Sequence, residues 1–297
     1  MIRTENRFGM VEPRVNAYHQ LFGKVKPRRI NSYPTEINLP MKHAPAIFLG
    51  LVTIAISVSA SESEPLKRWD RVVCIQSPVA SKPEAGKLCS AFLVNAQERL
   101  FLVTAGHASA ETSRKSRLVY RDRTGKSQWV SLAVLFSASS NPWHRDKTSD
   151  FAIAEVASNK NGKAYRSQLL ELSIPLASVC TTAQPRTTRI DTAGFPLAIG
   201  TNEPVSAVAV VGHIASGELE SDNDWGREPI VFCTPALAQG TSGGPAFLND
   251  QRHDAVTVVG MYIGVVQDAS GAKLSKMVPS RLIHAGISAI VHSSDGG

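Results

Sequence analysis

Three residue types that can act together on a carbonyl group stand at the ends of apolar runs in this chain. Leu102–His107 reads LVTAGH, an apolar run, then a small-residue turn and His107. Ser149–Val156 reads SDFAIAEV, with Asp150 at the head of an apolar, alternating segment. Leu237–Leu248 reads LAQGTSGGPAFL and sets Ser242 among glycines just before another apolar run. The order is His107, Asp150, Ser242, at intervals of 43 and 92 residues. Serine becomes a nucleophile only when a neighbouring base takes its proton and a third group orients that base. Each also has a duller account. A serine in a glycine-rich turn is usually a turn residue, and His107 could simply end a strand, as His144, His213, His253, His284 and His292 are taken to do something structural or superficial. Asp146 competes with Asp150 within WHRDKTSD, and Asp150 is preferred because it abuts the apolar segment.

The elements that must position these groups read as short strands separated by turn residues. Candidates in the first series are Arg71–Ile75, Ser90–Val94, Leu100–Thr104, Leu118–Arg121, Val130–Ser137 and Phe151–Val156. A second series follows at Ile190–Gly194, Val205–Ile214, Ile230–Thr234, Pro245–Leu248, Val256–Gly264 and Lys276–Val278. Ser280–Val291 has the apolar spacing of a helix and is the one later segment that does. The expectation is an all-β fold of two packed six-stranded antiparallel β-barrels with a C-terminal helix. The barrels span roughly 65–160 and 161–280, with a break near Asn159–Lys163 and the helix at 280–291.

The motifs together resemble those of the chymotrypsin-fold, trypsin-like serine peptidases: T-A-x-H, D-hydrophobic-A and G-x-S-G-G-P stand here as TAGH, DFA and GTSGGP. The resemblance covers roughly Arg71 to Val291, and all three motifs in this order are far more specific than GxSGGP alone. It implies a double β-barrel with the site in the cleft between barrels, and roles matching the general template for such triads. Ser242 would attack the scissile carbonyl, His107 would accept and return its proton, and Asp150 would fix the imidazole. The N–H groups of Gly240 and Ser242 would form the oxyanion hole. Ala236 would lie at the base of the primary substrate pocket, which argues against selection of Arg or Lys. Tyr262, Ile263 and Gly264, within MYIGV, would supply its wall and a strand edge for the peptide; Tyr262 either narrows that pocket or merely packs. An apolar or small residue before the cut is expected.

Thr241 departs from the digestive and clotting members of that family, whose aspartate at this place captures an amino terminus released by zymogen cleavage. A threonine cannot form that ion pair, and no IVGG-like segment follows residue 60. The resemblance therefore implies a peptidase needing no tryptic-type activation, its oxyanion loop ordered by packing or hydrogen bonds. In this it is similar to bacterial exported relatives such as the glutamyl endopeptidases and the high-temperature-requirement proteases. The latter usually carry a PDZ domain, for which the 297 residues leave no room.

Charge and composition narrow the partners. Residues 1–42 hold eight Lys/Arg and three Glu, whereas the remaining chain holds 24 basic and 22 acidic side chains. The net charge of +7 thus sits mainly in the extension, and no basic stripe with interleaved aromatics argues for nucleic acid. The expected partner is a protein or peptide substrate, with no cofactor and no metal. Residues 41–60 have the layout of a signal peptide: a short basic start, a 15-residue apolar run from Ala44 to Val58, and small residues at Val58–Ala60. Residues 1–40 are then a basic extension ahead of an expected start at Met41, and 61–297 the peptidase domain, secreted or periplasmic. The rival account keeps the run as an uncleaved anchor, the one case in which a membrane is a partner. Export makes two disulfides expected among Cys74, Cys89, Cys180 and Cys233. Of three possible pairings, Cys74–Cys89 with Cys180–Cys233 is favoured, the first stapling neighbouring strands. The leading function is an exported serine endopeptidase; the alternative is a catalytically silent module of the same fold that binds peptides or partner proteins.

Overall fold

The apolar runs become strands in the order the sequence suggests. The structure is a computed structural model and describes residues 66–79, 82–136, 142–157, 160–223, 226–250 and 256–294. The basic extension 1–40 and the signal-like segment 41–60 lie outside the described residues. The first half contains β1 (Val72–Val79), β2 (Lys82–Ala96), β3 (Arg99–Ala105), α1 (Gly106–Ala110), β4 (Arg117–Arg121) and β5 (Ser127–Ser131). It continues with the single turn α2 (Leu132–Leu135), then β6 (Trp143–Arg145), β7 (Phe151–Glu155), α3 (Lys160–Leu172) and β8 (Ile174–Pro175). Its strands form one sheet in the order β5-β4-β1-β2-β3-β7-β6, with β8 lying parallel against β2. The second half contains β9 (Arg189–Gly194), β10 (Val208–Asn223), β11 (Gly226–Thr234), β12 (Pro245–Leu248), β13 (Val258–Gln267) and β14 (Lys273–Pro279). These six close into an antiparallel barrel, and α4 (Ser280–Ser294) follows. The all-β architecture with a C-terminal helix is as expected; the second half is the closed barrel, and the first is an eight-stranded sheet.

The helix α4 works as a clasp. Ile283, Ile287 and Val291, spaced four residues apart on one face, are all buried. Gly286 lies so close to Phe151 and Ile153 of β7 that an added Cβ would stand 3.0 Å from the Ile153 side chain. The far end of the helix is held from the first sheet as well. Arg99 makes a paired contact with Glu155 at 2.9 and 2.6 Å and donates to the Ile290 carbonyl at 3.1 Å. One guanidinium thereby serves both a carboxylate and a carbonyl in the last turn of the helix, which also accepts the Ser293 hydroxyl at 2.9 Å.

Three expectations are corrected. The break anticipated at Asn159–Lys163 is occupied from Lys160 by α3, whose Tyr165, Leu169 and Leu172 fall on one face, the leucines fully buried. The strand anticipated at Val130–Ser137 stops at Ser131, whose hydroxyl accepts the Ala133 N–H and caps α2. The two disulfides are not present: all four cysteines are free. Register explains the first pair, because Cys74 stands opposite Ser90 while Cys89 stands opposite Ile75. Cys74 and Cys89 therefore project to opposite faces of the sheet and cannot meet. Cys233 is buried in the barrel core with Met277; Cys180 is half-buried against the same cluster, and its sulfur accepts from the Gln184 side-chain amide at 3.2 Å. Burial pushes the Cys89 and Cys233 thiols up to about 12, so they remain neutral and unreactive.

Because α4 draws its burial from strands of both halves, Ile287→Ala is expected to lower the unfolding free energy by about 2–5 kcal/mol, read from denaturant unfolding. A change within experimental error would show that the helix is not a clasp.

Candidate active site

Antiparallel pairing of β3 with β7 sets Ala105 opposite Phe151. That register brings His107, two residues beyond β3, against Asp150, the residue before β7. The Gly106 N–H donates to the Asp150 carbonyl at 3.0 Å. The Asp150 carboxylate, only 6% exposed, then grips His107 twice. Its Oδ1 accepts the His107 backbone N–H at 2.7 Å, and its Oδ2 lies 2.6 Å from the ring Nδ1. A carboxylate can only accept, so Nδ1 carries the proton and the neutral ring keeps a lone pair on Nε2. The hydrogen bond to Asp150 and its negative charge hold the His107 pKa above 6.5, against the opposing effect of burial. Asp146 is otherwise engaged: it is exposed, and its Oδ1 accepts from the N–H and the hydroxyl of Thr148, both at 2.8 Å.

Ser242 lies on a loop in which every carbonyl from Leu237 to Ser242 has a donor. Leu237 O accepts from the Tyr262 hydroxyl at 2.8 Å, and Ala238 O accepts the Thr241 N–H at 3.4 Å. Gln239 O accepts the Leu197 N–H at 2.7 Å, and Gly240 O accepts the Ser90 hydroxyl at 2.7 Å. Thr241 O accepts the Gly244 N–H at 2.7 Å, and Ser242 O accepts the Ser90 N–H at 2.8 Å. Among the described residues, by contrast, the N–H groups of Gly240 and Ser242 have no protein acceptor. A trans peptide points its C=O and N–H in opposite directions. Anchoring Gln239 O on Leu197 therefore turns the Gly240 N–H the other way. The glycines are required here: Gly240 and Gly243 have φ of +94° and +87°, and a Cβ on Gly243 would stand 2.0 Å from Ser90 O.

Ser90 is the residue that motif reasoning missed. It is fully buried, and besides its two bonds to the loop its hydroxyl accepts the Phe195 N–H at 3.0 Å. The only sequence signal was a polar residue inside the apolar strand CSAFLV. Thr241 is buried too, and its Oγ1 has no partner among the described residues.

Ser242 and His107 both line one cleft of about 560 Å³, together with Gly240, Leu88, Cys89 and Leu197. No hydrogen bond joins Ser242 to His107 among the described residues. The four residues expected to form the primary pocket do not line this cleft. Ala236 and Gly264 are half-buried, and Tyr262 and Ile263 are buried.

Against known proteins, the family model described as a trypsin-like peptidase domain matches residues 89–261. No curated protein matches the chain in sequence. Among solved structures, the chain is similar to the MamO protease domain of Magnetospirillum magneticum, at 13% identity and a TM-score of 0.49, over 74% of this chain and 97% of that one. It is similar to Rv3671c of M. tuberculosis H37Rv, at 16% identity and a TM-score of 0.48, over 76% and 88% of the two chains. It is also similar to the thermostable serine protease AL20 from an extremophilic microorganism, at 15% identity and a TM-score of 0.45, over 71% and 91%.

Ser90→Ala leaves the Gly240 carbonyl and the Phe195 N–H buried without their shared partner and is expected to cost about 1–3 kcal/mol for each group so stranded. Thr241→Val removes a hydroxyl that has no partner among the described residues and is expected to be neutral or stabilising. Parallel denaturant unfolding of the two variants checks both. Equal losses would mean that the Ser90 hydroxyl holds nothing.

Proposed function

The chain belongs to the trypsin-like peptidase family, and from that premise we propose that it is a serine endopeptidase acting through His107, Asp150 and Ser242. The observation that carries this reading is the double grip of Asp150 on His107 beside a cleft that also holds Ser242 and two unengaged amides. In the first step Ser242 Oγ bonds to the scissile carbonyl carbon, and His107 Nε2 takes the hydroxyl proton. The carbonyl oxygen becomes an oxyanion, received by the N–H groups of Gly240 and Ser242. Collapse of that adduct breaks the C–N bond. His107 returns the proton to the departing amine, leaving an acyl ester on Ser242. Water repeats the sequence, giving the carboxylic acid and free Ser242. Asp150 keeps Nδ1 protonated throughout and stabilises the imidazolium without taking the proton itself. Because the loop is held by Ser90, Leu197 and Tyr262, no new amino terminus is needed to order it.

A second reading, a catalytically silent binding module, draws support from the missing hydrogen bond between Ser242 and His107. Catalytic hydrogen bonds often tighten only when substrate is bound, so the geometry of the cleft does not favour this reading over the first. Labelling separates the two. An alkyl fluorophosphonate is expected to label the purified chain at Ser242, Ser242→Ala to abolish the adduct, and His107→Ala to slow it by about 10²–10⁴-fold. A folded chain that takes no label at Ser242 is a binding module.

The pH dependence has a definite sign. His107 acts as a base only when neutral, and its pKa lies above 6.5, so the acid limb of kcat/KM is expected above the ordinary imidazole value. In Asp150→Asn the charge and the strong acceptor are gone and the ring pKa falls. That limb is expected to move to lower pH while kcat drops by about 10⁴-fold. The same shift makes the imidazolium–Asp150 contact stabilising below about pH 6.5 and lost as pH rises through the folded pKa. A limb that does not move in Asp150→Asn would contradict the assigned base.

A further inference from the structure

We infer that Tyr262 fills the primary substrate pocket and restricts cleavage to peptides with a small residue, Gly, Ala or Ser, on the acyl side of the scissile bond; this rests on the peptidase reading above.

The backbone of Tyr262 is bonded directly behind the nucleophile: the Gly243 N–H donates to Tyr262 O at 2.8 Å, and the Tyr262 N–H donates to Gly244 O at 2.9 Å. Its side chain starts there and ends at Leu237 O, where the hydroxyl donates at 2.8 Å, five residues before Ser242. The ring therefore crosses the whole gap between β13 and the Leu237–Gln239 segment. The residue is 2% exposed. Burial pushes the phenol up to about 12, so it stays a hydrogen-bond donor at any working pH. Ser275 closes the floor of the same gap: fully buried, it donates to Pro235 O at 2.8 Å and accepts the Leu237 N–H at 3.2 Å.

A substrate positioned for attack has its carbonyl oxygen at the Gly240 and Ser242 N–H groups. Beyond Tyr262, β13 has left β12, so its edge is open among the described residues to pair with the acyl side of a peptide. The acyl residue's side chain then points between β13 and the segment containing Ala236, where the Tyr262 ring already stands. The open cleft lies on the other side of Ser242, toward Leu88, Cys89 and Leu197, where the leaving peptide goes. A large acyl side chain would have to expel a packed and hydrogen-bonded ring, whereas hydrogen or methyl needs no space.

Peptidyl diphenyl phosphonates test this without a known substrate, since Ser242 Oγ displaces phenoxide from phosphorus beside a side chain of chosen size. Probes ending in the alanine, leucine and phenylalanine analogues would be reacted with the full chain, with Tyr262→Val and with Tyr262→Phe. The alanine probe is expected to react at least about 10²-fold faster than the phenylalanine probe with the unaltered chain. Tyr262→Phe, which keeps the bulk, is expected to retain that order, and Tyr262→Val to reverse it. Faster reaction of the unaltered chain with the phenylalanine or leucine probe overturns the inference whether or not either variant folds. So does an unchanged order in a folded Tyr262→Val. Failure of the fluorophosphonate, which carries no side chain, sinks the peptidase reading itself; labelling by it together with equal rates for all three probes sinks only the pocket.

Discussion

The structure turns on a constraint set by backbone polarity. A tight loop that exposes a serine must leave its own peptide groups unpaired, and buried carbonyls without donors are costly. Here the surrounding body donates to the loop at five points: Tyr262 at Leu237 O, Leu197 at Gln239 O, Ser90 at Gly240 O and Ser242 O, and Tyr262 again as donor to Gly244 O. What is left over faces the cleft. The two unengaged amides are thus a consequence of how the carbonyls are held, and their direction is set before any ligand arrives. Preorganised donors of this kind need no reorganisation as charge develops.

The same donors tie the two halves together at the site. Ser90 belongs to β2 of the first sheet, yet its hydroxyl and N–H bond to the loop between β11 and β12 and its Oγ accepts Phe195 N–H just after β9. His107 and Asp150 lie one strand over, fixed by the β3–β7 register. The distance between His107 and Ser242 therefore depends on strand pairing in the first sheet and on one buried serine bridging to the second. The α4 clasp packs Ile287 against the core and receives Arg99 near its end.

Much of this was legible in the sequence because the relevant signals are local. Alternation located the strands, and the apolar segment it abuts singled out Asp150 over Asp146, whose carboxylate caps a turn. The misses are those where a second constraint overrode the local one. In α3 the polar start KNGK hid a face whose apolar residues, Tyr165, Leu169 and Leu172, come only later. The cysteine pairing failed because parity of register, which decides the face, cannot be read from spacing alone. Ser90 has no motif, since its role exists only across the joint between halves. Tyr262 stood on the expected strand, but the direction of its ring depends on the Leu237 carbonyl, which only the folded loop supplies.

Thr241 brings these threads together. In the relatives with an aspartate at this place, a charge is buried beside the nucleophile and must be met by a partner brought from elsewhere in the chain, since an unpaired buried charge is untenable. A buried threonine makes a smaller demand: its Oγ1 is unpartnered, a cost of about 1–3 kcal/mol that the fold can absorb. The order of the loop then rests on its fixed neighbours. Ser90, Leu197 and Tyr262 are such neighbours, and each belongs to the body that folds with the loop. Under the proposed peptidase function a site braced in this way needs no cut to order it, and the Tyr262 ring that holds Leu237 O from behind is also the proposed limit on the substrate side chain.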